Sequence, residues 1–126
     1  MIFFSIIIPV YNRPDELREL LRSLTKQTYT NFEVIVVEDG STEKADGVVR
    51  DFADQLTIRY FYKENTGQGF TRNVGFERAS GDYFVIFDSD ALIPDHYFEV
   101  VSAHLTTNWL DAYGGPDRAH PDFTPI

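Results

Sequence analysis

Tyr83-Phe84-Val85-Ile86-Phe87-Asp88-Ser89-Asp90 reads as a short, fully apolar strand that stops at two carboxylates two residues apart. Two like charges at the buried end of a strand need compensation, and a divalent cation supplies it at least structural cost. The stretch therefore points to a metal site at a strand end and to a strand buried on both faces, which is how a parallel sheet covered by helices is built.

Working outward, short apolar runs alternate with stretches of helical period, the pattern of repeated βαβ units. Ser5 to Tyr11 is a strand rich in Ile. Pro14, Asp15 and Glu16 suit the first turn of a helix, where a missing N–H costs nothing and negative charge complements the dipole. Leu17, Leu20, Leu21 and Leu24 then fall on one helical face. Phe32 to Val37 forms a second strand and ends at Glu38-Asp39-Gly40-Ser41-Thr42, with Ser41 or Thr42 as the expected helix cap.

Ala45, Val48, Val49, Phe52 and Leu56 repeat at helical spacing, and Ile58 to Tyr62 alternates as a third strand. Asn65-Thr66-Gly67-Gln68-Gly69 breaks the chain before a helix to about Ala79, and Gly81-Asp82 turns into the strand that opened the reading. Pro94-Asp95 opens a last helix with Phe98, Val101 and Leu105 as its stripe. Beyond Leu105 the pattern weakens among Gly114, Gly115, Pro116, Pro121 and Pro125. The fold class is α/β, three layers with a Rossmann-like, mostly parallel sheet. A sheet of this type wants further strands on the side where the chain stops, so the expectation is a chain that ends inside a larger protein.

Composition narrows the function. With 126 residues there is room for one domain, and 43% hydrophobic with 15% aromatic residues gives ample core. The absence of Cys excludes disulfides and thiolate zinc sites and fits a reducing compartment. A formal charge of −9 without a basic run repels nucleic acid. The apolar start is interrupted at Pro9, far short of the roughly 20 residues of a membrane span, and is read as a strand rather than a signal peptide.

In open α/β sheets ligands bind beyond the carboxyl ends of the strands. Three strands here end in polar sequence, Pro9-Val10-Tyr11-Asn12, Glu38-Asp39-Gly40-Ser41 and Asp88-Ser89-Asp90, and are expected to converge on one edge. These pieces, with Gln27-Thr28-Tyr29, Asn65-Thr66-Gly67, Arg72-Asn73-Val74-Gly75 and Gly81-Asp82-Tyr83, resemble the nucleotide-sugar domain of family-2 inverting glycosyltransferases of the GT-A fold. The match runs from about Ser5 to Pro94, in order and at the expected separations.

The resemblance implies a nucleotide-sugar-binding domain over 1–107 and the start of an acceptor-side region over 108–126. It implies that Pro9, Val10, Tyr11 and Asn12 line the base and ribose pocket, that Asp39 accepts an N–H of the base, usually uracil, and that Arg72 lies near the diphosphate. Asp88 and Asp90 would form the Asp-x-Asp motif, Asp90 gripping Mn2+ or Mg2+ and Asp88 contacting ribose or the metal through water. The resemblance further implies a saccharide or lipid-linked hydroxyl as acceptor, as in polysaccharide biosynthesis, reached in the cytoplasm or at the inner membrane face, where peripheral association fits. A catalytic base is expected later than any residue that can be assigned here; Asp111, Asp117 and Asp122 receive no role.

Plainer readings stand beside these. Asp88 and Asp90 alone could be solvated helix-capping acids, Asp39 an Asx-turn residue, and Arg72 an exposed partner of Glu77 or Asp82 worth under about 1 kcal/mol. The scattered His96, His104 and His120 lack metal-ligand spacing. A dinucleotide-binding domain fails for want of Gly-x-Gly-x-x-Gly after the first strand. A nucleotidyltransferase would want a Gly-rich basic loop there, and a receiver domain gives no reason for Asn65-Thr66-Gly67. The remaining alternative is a catalytically incomplete module that binds nucleotide-sugar without turnover.

Overall fold

The structure is a computed structural model that describes residues 1–108 and 124–125. Its centre is β1 (Phe4–Val10), flanked by β2 (Phe32–Asp39) and β4 (Tyr83–Ile86), with β3 (Ile58–Lys63) outside β2. These four strands are all parallel, and β5 (Thr124–Pro125) adds an antiparallel edge beside β4. The chain thus builds outward from β1 to β3 and then returns to the other side of β1. The switch point of the sheet falls between β1 and β4, where an open α/β sheet leaves a crevice.

Helices α1 (Pro14–Thr25), α2 (Asp46–Asp51) and α4 (Tyr97–Asn108) cover one face. The other face is covered by α3 (Gln68–Arg78), which packs on Ile7, Ile35, Val37 and Ile86. Pro14 is at the start of α1, and all four predicted leucines are buried; each such side chain stabilises by about 1.5–3 kcal/mol. Gly75 is required by close approach: a Cβ there would sit 2.4 Å from Cγ2 of Ile7, so α3 lies hard against β1.

Several expectations are corrected in detail. β2 continues two residues past Val37, because Glu38 and Asp39 pair in register with Tyr62 and Lys63 of β3. The helix expected from Ala45 to Leu56 is only Asp46–Asp51 followed by hydrogen-bonded turns, although all five apolar residues are buried as the period requires. Neither Ser41 nor Thr42 caps it; Ala45 holds the cap position, and its N–H is taken by the Glu38 carboxylate at 2.7 Å. Gln27 turns out to be a buried tie, donating from Nε2 to the Pro94 carbonyl and accepting from the Phe98 N–H, so it seats α4 against the end of α1. Of the expected acceptor-side region 108–126, only Asn108 and the two residues of β5 lie within the described part. Among the described residues no helix is long and apolar enough to cross a membrane.

Candidate functional site

The carboxyl ends of β1, β2 and β4 do converge. They border an open cleft of about 640 Å3 lined by Pro9, Val10, Tyr11, Arg13, Asp39, Asn65, Thr71, Arg72, Asp88, Ser89 and Asp90. Pro9 and Val10 form its buried floor, and Tyr11 stands half exposed at its rim, free to offer a ring face to a flat ligand. Arg72 is carried in from the first half of α3, whose seating on β1 through Gly75 sets how far its guanidinium reaches.

Asn12 is not among the lining residues, and its side chain is committed elsewhere. It takes the left-handed conformation, φ 51°, and its Oδ1 accepts from the Thr42 N–H at 2.8 Å and the Glu43 N–H at 2.9 Å. Its own N–H donates to Ser41 Oγ at 2.8 Å. This carboxamide clasps the ends of β1 and β2 together, which is also why Ser41 and Thr42 are unavailable as helix caps.

Asp39 is buried, with three hydrogen bonds: Lys63 Nζ at 2.8 Å and the Thr66 N–H at 2.9 Å on Oδ1, and the Gly67 N–H at 3.1 Å on Oδ2. Burial alone would push its carboxyl up, but the Lys63 ammonium and the two backbone donors outweigh it and hold the group below the ordinary carboxylate range. The loop that supplies those donors is pressed onto the end of β2. A Cβ on Gly40, which has φ +66°, would meet the Asn65 backbone N at 2.5 Å.

Asp88 and Asp90 contrast with this. Both are exposed, on either side of the buried Ser89, and both border the cleft. Among the described residues neither carboxylate has a hydrogen bond or an ion pair. Among the described residues no group of three or more His, Cys, Asp or Glu side chains is placed to hold a metal ion. Two uncommitted carboxylates nevertheless fit Mg2+ or Mn2+, hard ions that accept one or two carboxylates and complete their shell with phosphate oxygens and water.

Two cations escaped the sequence reading. Arg13 lines the cleft while bonding Glu16 at 3.1 Å, and Lys63 stands behind Asp39. Arg13 follows the quoted strand end directly and could have been flagged. Lys63, a lone Lys closing an alternating strand, carried no such signal.

The sequence profile of Glycosyl transferase family 2 matches residues 5–124. The chain belongs to glycosyltransferase family 2. An uncharacterized glycosyltransferase of Rickettsia bellii is 43% identical over 104 residues, which is 82% of this chain and 15% of that protein. The structure of S. aureus TarS 1-349 in complex with UDP-GlcNAc superposes with a TM-score of 0.82 at 32% identity, covering 94% of this chain and 37% of that one. The mannosyltransferase PcManGT from Pyrobaculum calidifontis, in complex with GDP-Man and Mn2+, gives 0.68 at 31% identity over 72% of this chain and 28% of its own. The fold is thus that of the GT-A glycosyltransferases, and this family-2 chain spans well under half the length of each of these relatives.

Proposed function

We propose that this chain is the donor-binding part of a metal-dependent inverting glycosyltransferase that moves a sugar from a nucleoside-diphosphate donor, a UDP-sugar, to a saccharide or lipid-linked hydroxyl. The observation that carries the reading is the single cleft at the β1/β4 switch point, into which Asp39, Arg72, Asp88 and Asp90 are all delivered. Relatives that bind UDP-GlcNAc or GDP-Man with Mn2+ support it.

Pro9, Val10 and Tyr11 would contact the base and ribose, and Asp39 would accept a ring N–H of the base. Asn12 acts indirectly, by holding the two strand ends that shape this pocket. Asp90 would hold Mn2+ or Mg2+ directly, with Asp88 contacting ribose or the metal through water, and Arg72 would meet the diphosphate. The need for a cation follows from charge. At an effective dielectric of 20, like charges 4 Å apart cost roughly 4 kcal/mol, and with Asp39 already paired with Lys63, Asp88 and Asp90 border the cleft without a cationic partner among the described residues. A bound divalent ion supplies positive charge that favours departure of the diphosphate.

In-line attack by the acceptor hydroxyl on the anomeric carbon inverts its configuration, while an acid residue takes the hydroxyl proton. The acids lining the cleft are Asp39, Asp88 and Asp90, and each has another task. This favours the second reading for the described residues alone, a module that binds donor without supplying the base. A lipid-linked acceptor would put the reaction at the inner face of a membrane, a water-soluble one in the cytoplasm.

The test is calorimetry with manganese and UDP on the protein, followed by a donor-hydrolysis assay. Binding that needs the metal is expected. No heat with manganese plus any nucleoside diphosphate would sink the reading, and diphosphate release without acceptor would separate an active centre from a binding module.

A further inference from the structure

Lys63 has no role in the proposed function, yet its ammonium is engaged on several sides beside the cleft. Its side chain is 17% exposed. Its ammonium donates to Asp39 Oδ1 at 2.8 Å, to the Glu64 carbonyl at 2.6 Å and to Thr66 Oγ1, with Thr71 Oγ1 at 3.5 Å beyond them. An ammonium has three donors, so the three short contacts exhaust it. Two of them fall on the loop Glu64–Gly67, and Asp39 binds the same loop through the Thr66 and Gly67 N–H groups. Acid, base and loop form one hydrogen-bonded unit, placed by the register pair Asp39 and Lys63 at the ends of β2 and β3.

Resting on the reading that Asp39 meets the nucleotide base, we propose that Lys63 is a positioning residue that sets which bases the cleft accepts. A carboxylate has roughly four lone-pair positions. Lys63, Thr66 and Gly67 fill three of those on Asp39, leaving one on Oδ2 in a fixed direction. Because the group is held ionised, that position only accepts. Uracil and guanine present a ring N–H to it; cytosine and adenine present a ring lone pair and would face it unpaired, a mismatch that discriminates strongly in a partly buried site. Without the ammonium, Oδ1 keeps only the Thr66 N–H, and the loop that carries this N–H and that of Gly67 loses its two ties to Lys63, so the carboxylate is no longer held in one direction. Of the other charged groups on the cleft, Arg72, Asp88 and Asp90 are assigned to the diphosphate and the metal in this scheme and Arg13 is paired with Glu16, so none substitutes for it.

The experiment is calorimetry of the protein with manganese and, separately, UDP, GDP, CDP and ADP. The native protein should prefer a ring N–H base. Lys63→Met should lose about tenfold affinity for the preferred diphosphate, the worth of one charge-assisted contact, and its preference over CDP and ADP should narrow by about the same factor. Lys63→Arg should restore both. Added to Asp39→Asn, Lys63→Met removes the remaining lone charge, and the double variant should bind no more weakly than Asp39→Asn alone.

Equal losses for all four diphosphates with the preference intact would overturn the proposal, as would a further loss in the Asp39→Asn background. Retention of affinity and preference by Lys63→Met while Asp39→Asn loses them would overturn the role of Lys63 and leave that of Asp39 standing. Asp39→Asn without effect would remove the base contact itself and this inference with it.

Discussion

The two acidic corners of the cleft are built on opposite plans. At the end of β2, Asp39 is buried, paired with Lys63 and bonded to two backbone N–H groups. Beyond β4, Asp88 and Asp90 are exposed and, among the described residues, uncommitted. The first corner is finished before any ligand arrives, so it can select by shape and hydrogen-bond direction. The second keeps its charge uncommitted, as the proposed cation site requires. Folding alone stabilises the first corner, and under the proposed function binding would stabilise the second, so the two should answer differently to substitution.

The largest difference is expected at Asp90. Asp90→Ala should abolish metal-dependent binding of the nucleoside diphosphate, at least about a hundredfold, while leaving stability within about 0.5 kcal/mol, as for an exposed side chain without partners. Calorimetry and urea unfolding measure the two effects; donor affinity unchanged in this variant would break the comparison. Asp39→Ala should affect both readouts. It leaves the partly buried Lys63 ammonium without its carboxylate, a defect that costs at most about 3–5 kcal/mol, and it removes the proposed base contact.

A purely structural change sharpens the contrast. Gly75→Ala should destabilise by about 1–3 kcal/mol, since its Cβ would overlap Ile7, and should weaken donor binding only as far as α3 and Arg72 are displaced. The smallest effect is in acid. Asp39 and Glu33 are both held below their ordinary values of 3.8 and 4.5. In each, burial opposes the shift and is outweighed, at Asp39 by Lys63 and the loop N–H groups, at Glu33 by Ser5, Ser80 and Arg59. Carboxyls depressed in the folded state stabilise it above their unfolded values. That contribution is lost as pH falls from about 5 through those values toward the lower folded ones. Urea midpoints measured down to pH 3 should drop, and Asp39→Asn should flatten part of the slope.

Much of this was legible in the sequence because it rests on local patterns. Four leucines at helical spacing, apolar strands and polar strand ends all appear where expected, and a parallel sheet necessarily gathers those ends on one edge. The errors have a shared cause. Val37 looked like the end of a strand because charged residues follow it, yet Glu38 and Asp39 have partners on β3. Ser41 and Thr42 looked like caps because they precede a helical period, yet Asn12, about one βα unit away in the chain, claims both. Asn12 itself looked like a pocket residue because its neighbours are.

The order of elements, the face each helix buries and the edge on which the site lies were decided by the sequence, since periodicity and the parallel connection leave little choice. Only the tertiary structure decided which acid is locked and which is left open. Asp39 meets Lys63 across 24 residues and the Thr66 and Gly67 amides across 27 and 28. Such contacts depend on strand register and on how closely a loop can settle over Gly40, and neither is expressed in the residues adjacent to the acid.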